Sequence, residues 1–208
     1  MKAVHFNKTD KTCKVVEIAK PTPQDDEVLV KVKFSALDTA TPDVLSNSWV
    51  SYFLHAKADP LILGWHFSGI VEQLGAAASS DHSASSLNIG DEVWGHLEYD
   101  PAQKQGSFSE YITVKTNACA KVPDKSKVTL DKYAAVATEA MTALQAIRDD
   151  GGLEKDMHLL VVGAAGGVGS AAVSIGKQLG AHVTAICSSK DVDFVKSLGA
   201  DRVLDPRF

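Results

Sequence analysis

The chain has 208 residues, 45% of them hydrophobic, which is enough to bury a real core in one large domain or two smaller ones. A formal net charge of −5 with no basic patch or stripe argues against nucleic acid as a partner, and no apolar run is long enough to span a bilayer. The N-terminus lacks a signal-peptide core, and Cys13, Cys119 and Cys187 are too scattered for a disulfide framework or a C-x-x-C metal site, so a reducing compartment, the cytoplasm, is expected.

Up to about residue 125 the pattern is mainly strand-like. Ala3–Phe6, Lys14–Ile18 and Glu27–Leu37 are short alternating or β-branched runs, punctuated by Pro21, Pro23 and Asp25-Asp26. Phe67–Leu74, Glu92–Leu97 and Phe108–Val114 read as further strands, and the Ala- and Ser-rich stretch from Gly75 to Gly90 reads as a surface connection. From Asp131 to about Arg148 apolar residues recur at helical spacing, with Asp131 placed to cap the start. After Gly151-Gly152 come an apolar strand from His158, a glycine turn, a helix to Leu179, a strand His182–Cys187, a helix Val192–Leu198 and a third strand Arg202–Leu204. The expected division is a β-rich domain over 1–125 and a βαβ-built domain over 126–208.

The most informative stretch is Val162-Gly163-Ala164-Ala165-Gly166-Gly167-Val168-Gly169-Ser170. Binding a pyrophosphate calls for an apolar strand, a turn small enough for close backbone approach, and a helix start whose N–H groups face the anion. Gly166 permits that approach and Gly169 permits tight packing of the helix, while Ala164 stands where G-x-G-x-x-G has its first glycine. An NAD site ordinarily ends its second strand on a carboxylate that holds the ribose 2′-hydroxyl. Here the strand runs into Ser188, Ser189 and Lys190, with two hydroxyls and an ammonium that suit a 2′-phosphate, so NADPH is expected over NADH. Either serine could equally cap the helix that follows, and Lys190 could simply be solvated. A doubly wound domain has six strands in the order 3-2-1-4-5-6, and candidates for strands 1 to 3 alone are present. The expectation is therefore a portion of a longer chain whose strand 1 is left as an edge, a site for self-association into a homo-oligomer.

Taken in order, Glu27-Val28-Leu29-Val30-Lys31-Val32, Leu63-Gly64-Trp65-His66-Phe67-Ser68-Gly69, Ile89-Gly90-Asp91-Glu92-Val93-Trp94-Gly95, Gly106-Ser107-Phe108-Ser109-Glu110-Tyr111, Thr142-Ala143-Leu144 and the Ala164–Gly169 turn resemble the medium-chain dehydrogenase/reductase superfamily. The resemblance is to its zinc-independent quinone oxidoreductase-like branch. It implies a fold of class α/β plus β: a GroES-like β-barrel that holds substrate, followed by the first half of a doubly wound Rossmann domain. It also implies cofactor contacts from Thr142, Ala165, Gly166, Gly167 and Val168, and a nicotinamide pocket beside the loop of Asp38. Relatives commonly have Asn at Asp38; an ionised Asp accepts hydrogen bonds but donates none, and it could instead close an Asx-turn. Tyr52 is a candidate for a proton donor, but with Trp49, Phe53 and Leu54 it reads first as apolar pocket lining or core. Thr142 could bond back to its own helix.

Zinc-dependent relatives carry Gly-His-Glu with the His as a ligand; in that register Trp65 takes the ligand position and His66 the acidic one. His55, His66 and His96 are the imidazoles that could converge on a metal, but the resemblance implies no zinc and a partly buried, hydrogen-bonded His66. Relatives place a Tyr after the Asp that ends strand 3, where this chain has Pro206. The reaction implied is hydride transfer from NADPH to a quinone or α,β-unsaturated carbonyl. The alternatives are a non-catalytic nucleotide-binding or interaction protein on the same scaffold and, less favoured, a zinc alcohol dehydrogenase.

Overall fold

The computed structural model describes residues 1–7, 9–37, 61–78, 87–97 and 105–207. They form two compact units, Met1–Ala137 and Thr138–Phe208, divided within a helix rather than ahead of it.

The first unit is two antiparallel sheets around one core. β1 (Lys2–Asn7) is the centre of a three-stranded sheet with β2 (Thr12–Glu17) and β4 (Leu61–Ile62). The other sheet has the order β7 (Tyr111–Lys115), β3 (Glu27–Ala36), β5 (His66–Leu74), β6 (Glu92–His96) and β8 (Cys119–Lys121). The sheets are joined backbone to backbone: Val4 N–H donates to the Phe108 carbonyl at 2.8 Å and Glu110 N–H to the Lys2 carbonyl at 3.0 Å. Register shifts at Leu29/Val30 and Val32/Phe34 in the β3–β5 pairing bend the sheet around the core, as bulges do in barrels. Inside lie Phe6, Val28, Val30, Phe67, Val71, Val93 and Ile112, all essentially without solvent contact. Burying each such side chain is worth about 1.5–3 kcal/mol.

Most strand expectations for this unit are observed within a residue or two. The last begins at Tyr111 rather than Phe108, because residues 108–110 instead bond across to β1 and β3. β4 and β8, two and three residues long, carry too little pattern to be read from sequence; pairing with β1 and β6 makes them strands. The connection after Gly75 keeps Ala78 and Leu87 in the core, while residues 79–86 lie outside the described set.

The helix α1 spans Leu130–Leu144 and widens into a π-helical turn over Gln145–Asp150. Asp131 lies in its first turn and accepts from the Thr129 hydroxyl, so it is not the cap residue ahead of the helix. The second unit then has three parallel strands in the order β11 (Arg202–Leu204), β10 (His182–Ile186), β9 (His158–Val162). This is the 3-2-1 half of a doubly wound sheet, with β9 at its edge among the described residues. The helix α2 (Gly167–Gln178) buries Ala172, Val173 and Gly176. A Cβ at Gly176 would come within 2.7 Å of Leu159 Cδ2, so that glycine sets how closely the helix lies on β9. The short helix α3 is Val192–Ser197, and Lys177 Nζ and the Val183 N–H both bond Asp201 (2.8 and 2.6 Å), which pins the start of β11 to its neighbours.

Candidate functional site

The glycine turn joins β9 to α2. Gly163 takes φ +75°, a left-handed conformation that side chains rarely adopt, and Gly163 and Ala164 both donate to the Ile186 carbonyl at 3.0 Å. Ala164 is wholly buried, so the position of the usual first glycine is a packing position here. Gly166 is the cap residue in extended conformation; it offers no side chain, and Ser170 makes the first helical bond, to the Gly166 carbonyl at 2.8 Å. The N–H groups of Gly167, Val168 and Gly169 therefore start a twelve-residue helix with no side-chain cap, at the positive end of its dipole.

Space for a side chain is closed at two glycines of the turn, Gly169 and Gly167. A Cβ at Gly169 would collide with the Gly163 carbonyl oxygen and lie 2.9 Å from the Ala164 Cα, so Gly169 packs the helix on the turn itself. At Gly167 the obstacle is the Glu139 side chain, whose Cγ would be 2.6 Å away. Glu139, one helical turn before Thr142 on α1, is a neighbour of the turn that sequence spacing gave no reason to expect. Ala165 is partly buried, and Val168 and Thr142 are exposed. A tight turn that excludes a Cβ at Gly169, with uncapped N–H groups at the start of α2, fits the pyrophosphate of a dinucleotide.

The tips of β10 and β11 carry the second part of the site. Ser188 Oγ donates to Asp191 Oδ2 at 2.6 Å, and Ser189 Oγ donates to Asp205. The expectation that no carboxylate borders this tip is thus corrected: a one-turn 3-10 helix (Ser189–Asp191) and the end of β11 bring two carboxylates to the serines. Arg207 reaches back over them, its Nε 3.1 Å and Nη2 2.8 Å from the Asp205 oxygens and Nη2 3.2 Å from Ser189 Oγ. The Arg207 guanidinium, the Ser189 hydroxyl and the Arg207 N–H together hold the Asp205 carboxyl far below the usual carboxylate range. Burial, and then the charges of Asp191 and Asp205, push the Cys187 thiol up, which disfavours its thiolate. Lys190 is exposed beside this cluster.

Asp38, Tyr52 and His55 lie outside the described residues. Phe34 and Ser35, on the part of β3 that leads to Asp38, line an open cleft of about 420 Å³ in the first unit, where Ser35 and Ser107 hydroxyls meet at 2.6 Å. His66 is 1% exposed, fully rather than partly buried, because β5 carries it into the core against the His96 ring at 5.5 Å. Among the described residues no three His, Cys, Asp or Glu side chains are grouped to hold a metal ion, and no helix is long and apolar enough to cross a membrane.

Residues 24–124 match the family described as the alcohol dehydrogenase GroES-like domain. A mitochondrial NAD(P)H oxidoreductase of Mus musculus is 34% identical over 194 residues, covering 86% of this chain and 46% of its own length. A chloroplastic quinone-oxidoreductase homolog of Spinacia oleracea is 35% identical over 196 residues, covering 92% of this chain and 56% of its own. The solved quinone oxidoreductase of Coxiella burnetii superposes with a TM-score of 0.81 at 28% identity, over 98% of this chain and 62% of that one. The chain spans about half the length of the curated relatives it matches.

Proposed function

Because this chain belongs to the medium-chain dehydrogenase/reductase superfamily, in its quinone oxidoreductase-like branch, we propose an NADPH-dependent reduction of a quinone or α,β-unsaturated carbonyl, without zinc. The observation that carries the reading is the uncapped start of α2 behind a turn too tight for any Cβ at Gly169. When bound, the dinucleotide supplies the hydride, and both acceptor classes offer an electrophilic carbon conjugated to a carbonyl. The chain's own part is to bind and orient: Gly166, Gly167 and Val168, with Ala165 and Thr142 alongside, receive the pyrophosphate side, and Ser188, Ser189 and Lys190 border the adenosine ribose. On the substrate side the candidates are Asp38, as a hydrogen-bond acceptor beside the nicotinamide, and Tyr52, as a donor to the acceptor carbonyl, where charge develops as hydride arrives.

The residues 1–125 would serve the substrate and 126–208 the cofactor. The proposed setting is a reducing one, the cytoplasm or an organelle interior of the kind named for the relatives, and the working form is a homo-oligomer. A panel of quinones and enones, assayed by loss of NADPH absorbance with NADH in parallel, tests the reading. Turnover of at least one acceptor with NADPH preferred is expected. NADPH binding without turnover on any member of the panel would leave a non-catalytic nucleotide-binding protein instead.

A further inference from the structure

The side chains at the tips of β10 and β11 assign the ribose 2′ position to a residue that the serine–lysine run does not contain. A hydroxyl has one proton to give. Ser188 gives its proton to Asp191 and Ser189 gives its proton to Asp205, so neither has one for a phosphate oxygen without abandoning a carboxylate. Arg207 is in the opposite condition. Its Nε proton and its two Nη2 protons go to Asp205 and Ser189, and its backbone N–H also bonds Asp205 Oδ1 at 2.9 Å. The two Nη1 protons are then on the outer edge of the guanidinium. The Arg207 side chain is 65% exposed, while the Asp205 side chain beneath it is 8% exposed.

A carboxylate largely covered by an exposed, three-point-anchored guanidinium makes a cation fixed in place before any ligand arrives. Pre-organisation of this kind lowers the ordering cost of binding, and the planar fork matches phosphate geometry. We propose that Arg207, held by Asp205 and Ser189 across the tips of β10 and β11, is the residue that selects a 2′-phosphorylated dinucleotide over its unphosphorylated counterpart. This rests on the dinucleotide reading above and names the specificity determinant within it. Asp205 and Ser189 are positioning residues that act through Arg207.

The same geometry sets what removal does. Without Arg207 the 2′-phosphate loses its fixed fork and meets Asp205 and Asp191 with the flexible Lys190 alone to offset them, so NADPH affinity falls while NADH affinity does not. Lys at this position restores a charge but not the fork, and Asp205→Asn together with Arg207→Met removes one of the repelling carboxylates.

The test is titration calorimetry of NADPH and NADH on the 208-residue chain and on its Arg207→Met, Arg207→Lys and Arg207→Met/Asp205→Asn variants, with thermal melts as fold controls. In Arg207→Met, NADPH affinity should fall by about 10- to 100-fold while NADH stays within about twofold, the loss of charge-assisted hydrogen bonds from one nucleotide only. Arg207→Lys should fall between, and the double variant should regain part of the NADPH loss. Wild-type binding of both nucleotides, with Arg207→Met shifting them equally or not at all, would overturn the assignment alone. Binding of neither nucleotide by the wild-type chain would overturn it together with the dinucleotide reading.

Discussion

The two units of this chain solve the problem of apolar strands in different ways. In the first, two antiparallel sheets joined through the Val4–Phe108 and Lys2–Glu110 backbone bonds close over one core, and Phe67 and its neighbours have no exposed surface. In the second, Leu159 and Val161 of β9 pack under α2, but the opposite face of that strand leaves Leu160 59% and Val162 73% exposed. Stability from burial therefore concentrates in the antiparallel unit, whereas the parallel unit spends its tightest packing on the Gly163–Gly169 turn. A small-residue turn contributes little apolar area, yet it is where a ligand's phosphates can approach backbone N–H groups.

The strongest test of that contrast is Phe67→Ala, which should cost about 3–5 kcal/mol, the range for truncating a fully buried Phe. All three tryptophans, Trp49, Trp65 and Trp94, precede the second unit, so urea unfolding followed by tryptophan fluorescence reads the first unit selectively. A midpoint unchanged by the substitution would break the contrast at its root. Next comes Gly169→Ala. Its Cβ meets backbone rather than a flexible side chain, so about 1–3 kcal/mol of overpacking should fall on the second unit, with dinucleotide affinity lowered about tenfold or more. Calorimetry of this variant that gave wild-type affinity would sever the turn from the site.

A subtler difference concerns acid. Hydrogen bonds from the Lys177 ammonium, and then from the Val183 N–H, hold the Asp201 carboxyl below its ordinary range. A carboxyl depressed in the folded state contributes fully above its unfolded pKa of about 4, and that contribution is lost as pH falls through the lower native value. Thermal melts of wild type should therefore decline as pH drops below about 4, and Asp201→Asn should flatten that part of the profile. Identical acid limbs would remove Asp201 from the account. Smallest in stability is Val162→Ser, expected within about 0.5 kcal/mol because the side chain is already in water. Its effect should appear in light scattering instead: self-association through the β9 edge should diminish, and a wild-type chain that is cleanly monomeric at high concentration would contradict that route.

What sequence reasoning reached follows from range of interaction. The Arg202–Leu204 strand and the turn over Ala164–Gly169 are encoded by local apolar pattern and small residues, and both are observed where expected. β4 and β8 exist through pairing with distant strands, and a two- or three-residue run has no period to detect. The resemblance implies a partly buried His66, yet its place on the central strand β5 buries it fully. The hydrogen-bond partners at the tips of β10 and β11 are out of local reach for a related reason. Ser188-Ser189-Lys190 looked like a run of free donors because the groups that engage Ser189 are Asp205 and Arg207, 16 and 18 residues on. An Asp-x-Arg at the end of the third strand was the available signal, and it becomes meaningful only once β10 and β11 lie side by side in parallel.

The turn between β9 and α2 is the proposed seat of the pyrophosphate of a nicotinamide dinucleotide. Titration calorimetry of NADPH into the 208-residue chain, with Gly169→Ala as the matched control, tests it most directly. Saturable one-to-one binding that weakens about tenfold or more in the glycine variant is the predicted result. Heats indistinguishable from dilution for the wild-type chain, with its fold intact by circular dichroism, would contradict it.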